Sequence, residues 1–219
     1  MKKIFFFRAF LILLTFVSLF VSCSDSTPVI NSVVSSVIFQ FNDETSIPTT
    51  RISLFASTNE IQRVEQMRAV NENTGLVWNI SSPRKFQSKD NVSWTGYTNL
   101  VSASGSSIPM GRYDLFYTDS AERECDANFY ISYPKDYIEK KSSDFPGAIQ
   151  SSYSTNVALY TVDGSLLFYG KKKKTWSTNE MILKDYMLAD TIRICYGISN
   201  DSVIIIMPSH KIRQDVEKK

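Results

Sequence analysis

The stretch GRYDLFYTDSAERECDANFYISYP, residues 111–134, carries the fold in miniature. Its first half puts Tyr113, Leu115 and Tyr117 on one side of an extended chain, because side chains two apart share a face of a strand. The second half repeats the pattern with Ala127, Phe129, Ile131 and Tyr133 and stops at Pro134, which has no N–H to give to a ladder. Between them, residues 118–126 are polar and charged, the composition of a turn. Two alternating strands joined in this way predict a hairpin with one dry and one wet face.

Working outward, the same grammar recurs. Upstream, Val37, Phe39 and Phe41 alternate with Ile38 and Gln40, and Ile52, Leu54 and Ala56 with Ser53 and Phe55. Residues 61–70 fit a helix through Ile61, Val64 and Met67, or a strand. The turn Asn71-Glu72-Asn73-Thr74-Gly75 and the return through Leu76, Trp78 and Ile80 tip the reading toward a hairpin. Residues 81–93, polar and with Pro83, read as a loop, 94–101 as a strand, and Gly105-Ser106-Ser107 as a turn. About seven short strands in about 105 residues predict a mainly β chain folded as a β-sandwich. The Gly-x-Tyr strand at Gly111, the Thr118-Asp119 turn and the return strand resemble the last hairpin of immunoglobulin-like or fibronectin-like modules in bacterial surface proteins. That resemblance implies such a sandwich over residues 30–135, although the Cys-Trp-Cys spacing of antibody domains is missing.

Downstream, residues 135–154 are a polar connection holding Pro146-Gly147 and mark the expected boundary. Residues 136–219 are expected to form a smaller β-rich part: hairpin, short helix, hairpin. Residues 157–162 and 165–169 flank the turn Asp163-Gly164. Ser177 and Glu180 match a capping box ahead of Met181, Ile182, Leu183 and Tyr186. Residues 191–198 and 203–207 flank Asn200-Asp201, and the unbroken apolar run of the second strand requires burial on both faces. The charged residues 211–219 read as a frayed tail.

The N-terminus sets the location. After Lys2, Lys3 and Arg8, residues 9–22 form an uncharged apolar run of 14 residues, too short to span a bilayer and right for a signal-peptide core. It ends in Phe20-Val21-Ser22-Cys23, which resembles the lipobox of bacterial lipoproteins. The resemblance implies removal of residues 1–22, a diacylglyceryl group on the Cys23 sulfur, and residues 23–29 as a lipidated tether to the membrane. Ser24 is not the aspartate that retains some lipoproteins in the inner membrane, so the outer membrane or cell surface is expected. The lipobox and the aromatic-rich strands resemble spirochaete-type envelope lipoproteins of unknown function, which implies a non-catalytic binding or interaction module. A structural assembly protein of the envelope and a hydrolase using a carboxylate pair are the alternatives.

Without Lys2, Lys3 and Arg8, 21 basic and 22 acidic side chains remain, so no broad positive field is offered to nucleic acid. With Cys23 lipidated, Cys125 and Cys195 are an even pair in an oxidising compartment; either they form a disulfide or they stay as two free thiols. Lys171, Lys172, Lys173 and Lys174, with Trp176 close by, are the candidate contact for anionic lipid or glycan, or else they guard a sheet edge against aggregation. Trp94 and Tyr97 form either an aromatic platform for sugar or ordinary strand packing. The single histidine, His210, lies in a charged C-terminal segment and reads as solvated. No nucleophile elbow, phosphate loop or His-Glu-x-x-His motif occurs, so no catalytic residue, metal or cofactor is expected.

Overall fold

The computed structural model describes residues 27–59, 63–102 and 106–213. Twelve strands among them form two sheets. In chain order these are β1 (Ile30–Gln40), β2 (Thr49–Thr58), β3 (Val64–Asn71), β4 (Val77–Ile80), β5 (Arg84–Gln87), β6 (Ser93–Leu100), β7 (Gly111–Asp119), β8 (Glu124–Ile131), β9 (Tyr153–Tyr160), β10 (Leu166–Gly170), β11 (Thr191–Ile198) and β12 (Val203–Lys211). One helix, α1 (Asn179–Asp185), lies between β10 and β11. The large sheet runs β10-β9-β11-β12-β1-β2-β6-β5 and the small one β4-β3-β7-β8.

The first eight strands make an immunoglobulin-type sandwich. Neighbours β1-β2-β6-β5 face β3-β7-β8, the layout of the four- and three-stranded sheets of a constant-type domain, with β4 added beyond β3. Val37, Phe39, Ile52 and Leu54 of the large sheet meet Met67, Ala69, Leu115 and Tyr117 of the small one in one core cluster. Residues 111–131 form its β7–β8 hairpin, with Tyr113, Leu115 and Tyr117 all fully buried. Tyr113 also donates its hydroxyl to the Pro109 carbonyl at 2.7 Å, the tyrosine corner that pins the crossing into this strand. Its ring is stacked between Trp78 and Phe129, at centroid distances of 5.3 and 5.2 Å.

Turns follow from side chains that replace backbone partners. The Asn71 side-chain oxygen accepts from the N–H groups of Asn73 and Thr74, and Gly75 takes φ +68° to close the β3–β4 loop. Asp119 ties the β7–β8 turn: Oδ1 accepts from the N–H groups of Ala121 and Arg123, and Oδ2 from the Arg123 guanidinium at 2.8 Å. Burial, the strongest single influence, raises the Asp119 pKa, yet these hydrogen bonds together outweigh it and hold the carboxyl below its ordinary value.

The C-terminal part continues the large sheet of the sandwich. β12 pairs in parallel with β1, Val37 opposite Val203 through Gln40 opposite Ile206, so β9–β12 extend the large sheet past the first strand. The apolar run of β12 is buried on both faces as its pattern requires. Val203 and Ile205 join the main core, while Ile206 packs with Ile38, Ala158 and Cys195 on the opposite face. A small second cluster, with Val157, Leu159, Trp176 and Ile182, fixes α1 against the extension.

Several local expectations shift. Residues 84–87, read as loop, form edge strand β5: Phe86 packs edge-on to Phe55 across the gap left by Gly96, where a Cβ would stand 2.0 Å from the Leu54 carbonyl oxygen. The ambiguous segment is a strand from Val64, and residues 60–62 lie outside the described residues. The connection 135–154 contains two 3-10 turns, Lys135–Glu139 and Ser142–Asp144, which carry Tyr137 and Phe145 onto Phe39 and Phe41. Helix α1 is present, but Thr178 is its N-cap, without a side-chain cap bond; the Thr178 hydroxyl instead bonds the Glu180 carboxylate and lowers its pKa. Positions 211–213 do not fray: Ile212 is buried and its N–H donates to the Asp190 carbonyl at 2.8 Å, while residues 214–219 lie outside the described residues. β12 runs through Pro208 because its register with β11 shifts there, and a bulge frees the position from the ladder.

Candidate functional site

Cys23 and residues 1–22 lie outside the described residues; the described chain enters β1 through residues 27–29, with the Val29 N–H held by Asn59 Oδ1 at 2.8 Å. Cys125 and Cys195 are not bridged. Cys125 is on β8 of the small sheet beside the main core, whereas Cys195 is on β11 of the large sheet, fully buried on the face turned away from that core. Burial pushes the Cys195 thiol up to about 12, which makes it an inert apolar filler.

The lysine run follows β10, the outermost strand of the large sheet. It is not a uniform patch. Lys173 Nζ contacts Asp185 Oδ2 at 2.8 Å and lies over the rings of Trp176 and Tyr186 at 5.1 and 5.4 Å. The Trp176 indole N–H donates to the same oxygen at 2.8 Å, and with Lys173 it holds the Asp185 carboxyl below its usual range. Lys173 therefore latches the loop to α1, leaving Lys171, Lys172 and Lys174 exposed beside the edge. Tyr97 packs against the main core, and Trp94 is half-buried on β6 opposite Phe86. His210 is exposed near the end of β12.

The outer face of the large sheet holds a site that motif reading missed. Strand register places Arg51 of β2 opposite Ile38, and Arg193 of β11 opposite Ala158. Since Ile38 and Ala158 belong to the cluster facing away from the sandwich core, both arginines project from that same face. Together with Gln40, Tyr160 and Ser209 they line a cleft of about 390 Å³ at the junction between the sandwich and its extension. Arg51 donates to the Thr98 carbonyl at 2.6 Å and to Gln40 Oε1 at 3.3 Å; Arg193 donates to the Phe41 carbonyl at 3.2 Å. Among the described residues no carboxylate lies within ion-pair distance of either guanidinium. The lining does include one acid, Asp190, which is held by Lys211 at 3.0 Å.

Both arginines act electrostatically on Tyr160. Burial raises the Tyr160 pKa and Cys195 adds to it, while Arg193 and Arg51 both oppose the rise, so each acts on the same phenol. Burial also lowers the pKa of Arg51. A larger hollow of about 640 Å³ opens beside Tyr133, Tyr137 and Ser199, but its acid, Asp136, already faces Lys140 at 3.7 Å. What the sequence lacked was register: Arg51 and Arg193 are 142 positions apart and line one cleft only because β12 joins β1.

An immunoglobulin-type sandwich with a four-stranded sheet extension and an arginine-lined cleft at the join is the class this fold defines. Comparison with protein-family models, with curated proteins and with solved structures gives no match for the chain.

Proposed function

We propose that the chain is a lipid-anchored protein of the bacterial cell envelope, held through Cys23 in the outer membrane or at the cell surface, and acting as a non-catalytic binding module. The observation that carries this reading is the lipobox Phe20-Val21-Ser22-Cys23, set seven positions before the first residue of β1. Seven extended residues reach at most about 25 Å, so the sandwich stays close to the headgroups. Several acyl chains, at about 0.8 kcal/mol per buried methylene, make such an anchor effectively permanent.

Binding is favoured over structural assembly by the edges of the large sheet. Both edge strands carry basic side chains, Arg84 and Lys85 on β5 and the run from Lys171 beside β10, a device that opposes strand addition by another copy. The arginine-lined cleft is the kind of concave, partly polar surface that ligands use. Cys23→Ala tests the anchor. The variant is expected to leave the detergent phase on phase partitioning; a cleaved variant still found there would overturn the reading. Protease shaving of intact cells then separates an outward-facing protein from a periplasmic one.

A further inference from the structure

The cleft at the sandwich–extension junction has three properties that a purely structural arginine pair would not need together. Each guanidinium is fixed by backbone or amide oxygens, and of the ten N–H groups that two arginines offer only three donate to partners among the described residues, Thr98, Gln40 and Phe41. Neither is neutralised by a carboxylate among the described residues, although partial burial makes an unpaired charge costly. The Tyr160 phenol and the Ser209 hydroxyl line the same cleft and add two further donors to it.

From these we infer that Arg51 and Arg193 form a binding site for a compact oxyanion, a carboxylate or a phosphate or sulfate ester carried on a larger ligand. Planar guanidiniums suit such groups because two parallel N–H donors match two oxygens. Gln40 and Tyr160 flank the anion and fix its orientation. The extension thereby acquires a purpose: β2 of the sandwich supplies one arginine, β11 of the extension the other, and the site exists only when the sheets are continuous. The cleft includes Gln40, at the far end of β1 from Ile30; ten residues at about 3.3 Å each separate these ends by about 33 Å. The tether thus enters at one end of the strand and the ligand at the other, which points to an anion outside the anchoring membrane.

The anion site rests on the binding-module reading and not on the lipid anchor, so a cleaved Cys23→Ala protein still found in the detergent phase would overturn the anchor, and with it the ligand's placement relative to the membrane, but neither the cleft nor its ligand. The test is calorimetric titration of the full chain in neutral detergent with glucuronate, glucose 6-phosphate and glucose, at low and high salt. Saturable, salt-sensitive binding of an anionic sugar and none of glucose is expected, and whichever anion binds identifies the source as carboxylate or phosphate. Arg51→Gln and Arg193→Gln should each weaken it at least tenfold, whereas glutamine at Lys171, Lys172 and Lys174 should leave it within twofold. Arg51→Lys and Arg193→Lys keep the charge and should still lose most of the affinity, with the melting temperature of each variant verifying the fold. Absence of saturable binding by both anions, or binding that folded arginine variants retain, would overturn the inference.

Discussion

Cutting the chain after residue 135 isolates a topologically complete immunoglobulin-type sandwich, and the structure predicts that this piece does not fold stably. Its first strand, β1, would lose β12 and become an edge. Val37, Ile38, Phe39 and Phe41 are each no more than 6% exposed in the whole chain. Uncovering roughly half of four such side chains, each worth about 1.5–3 kcal/mol when fully buried, costs about 3–6 kcal/mol. Tyr137 and Phe145, which pack on Phe39 and Phe41, are lost as well. A domain of this size has a net stability of only about 5–15 kcal/mol, so the fragment sits near or below the folding threshold and exposes an apolar edge that pairs with its own copies. Residues 27–135, compared with the chain through 213, should show a lost or strongly lowered thermal transition by circular dichroism and should self-associate on gel filtration. A monomeric fragment melting cooperatively within a few degrees of the longer chain would refute the reasoning.

Other perturbations are as direct. In native protein a thiol reagent at pH 8 should modify Cys125 and spare Cys195, with both reacting after denaturation; a native peptide cross-link between them would contradict the structure. The Asp119 carboxyl is held below the 3.8 of the unfolded chain, so its stabilisation is complete above that pH and fades as pH falls through the lower folded value. Asp119→Asn should therefore lower the melting temperature at pH 7 and flatten its decline between pH 5 and about 2; an unchanged profile would remove Asp119 from the account. Replacing Lys171, Lys172 and Lys174 by glutamine should leave the melting temperature nearly unchanged and raise light scattering through the uncovered edge at β10, whereas Lys173→Gln should lower the melting temperature by loosening α1.

Alternation made much of the fold legible. The β7–β8 hairpin, the β9–β10 hairpin and the doubly buried run of β12 follow from period and turn residues within about ten positions of one another. Edge strand β5 escaped because all four of its residues are exposed, so it carries no alternation; it is held by its ladder to β6 and by Phe86 on Phe55. Ile212 and the 3-10 turns escaped for the same reason, since isolated apolar residues among charges have no period. The arginine cleft was invisible in principle. Nothing local to Arg51 or Arg193 differs from any solvated arginine on a strand, and only the pairing of β1 with β12 brings their strands into one sheet.

That pairing also imposes an order in time. Val37 finds its parallel partner in Val203, 166 positions later, and no nearer segment completes that side of β1. Closing so long a loop is entropically slow, and contacts of such separation retard folding. A chain emerging N-terminus first from a ribosome or a translocation pore presents β1 early and must wait for almost everything else before its exposed flank is covered. During that interval the protein is a strand edge in search of a partner, suited to passage as an unfolded thread and dependent on being shielded until its last strand arrives.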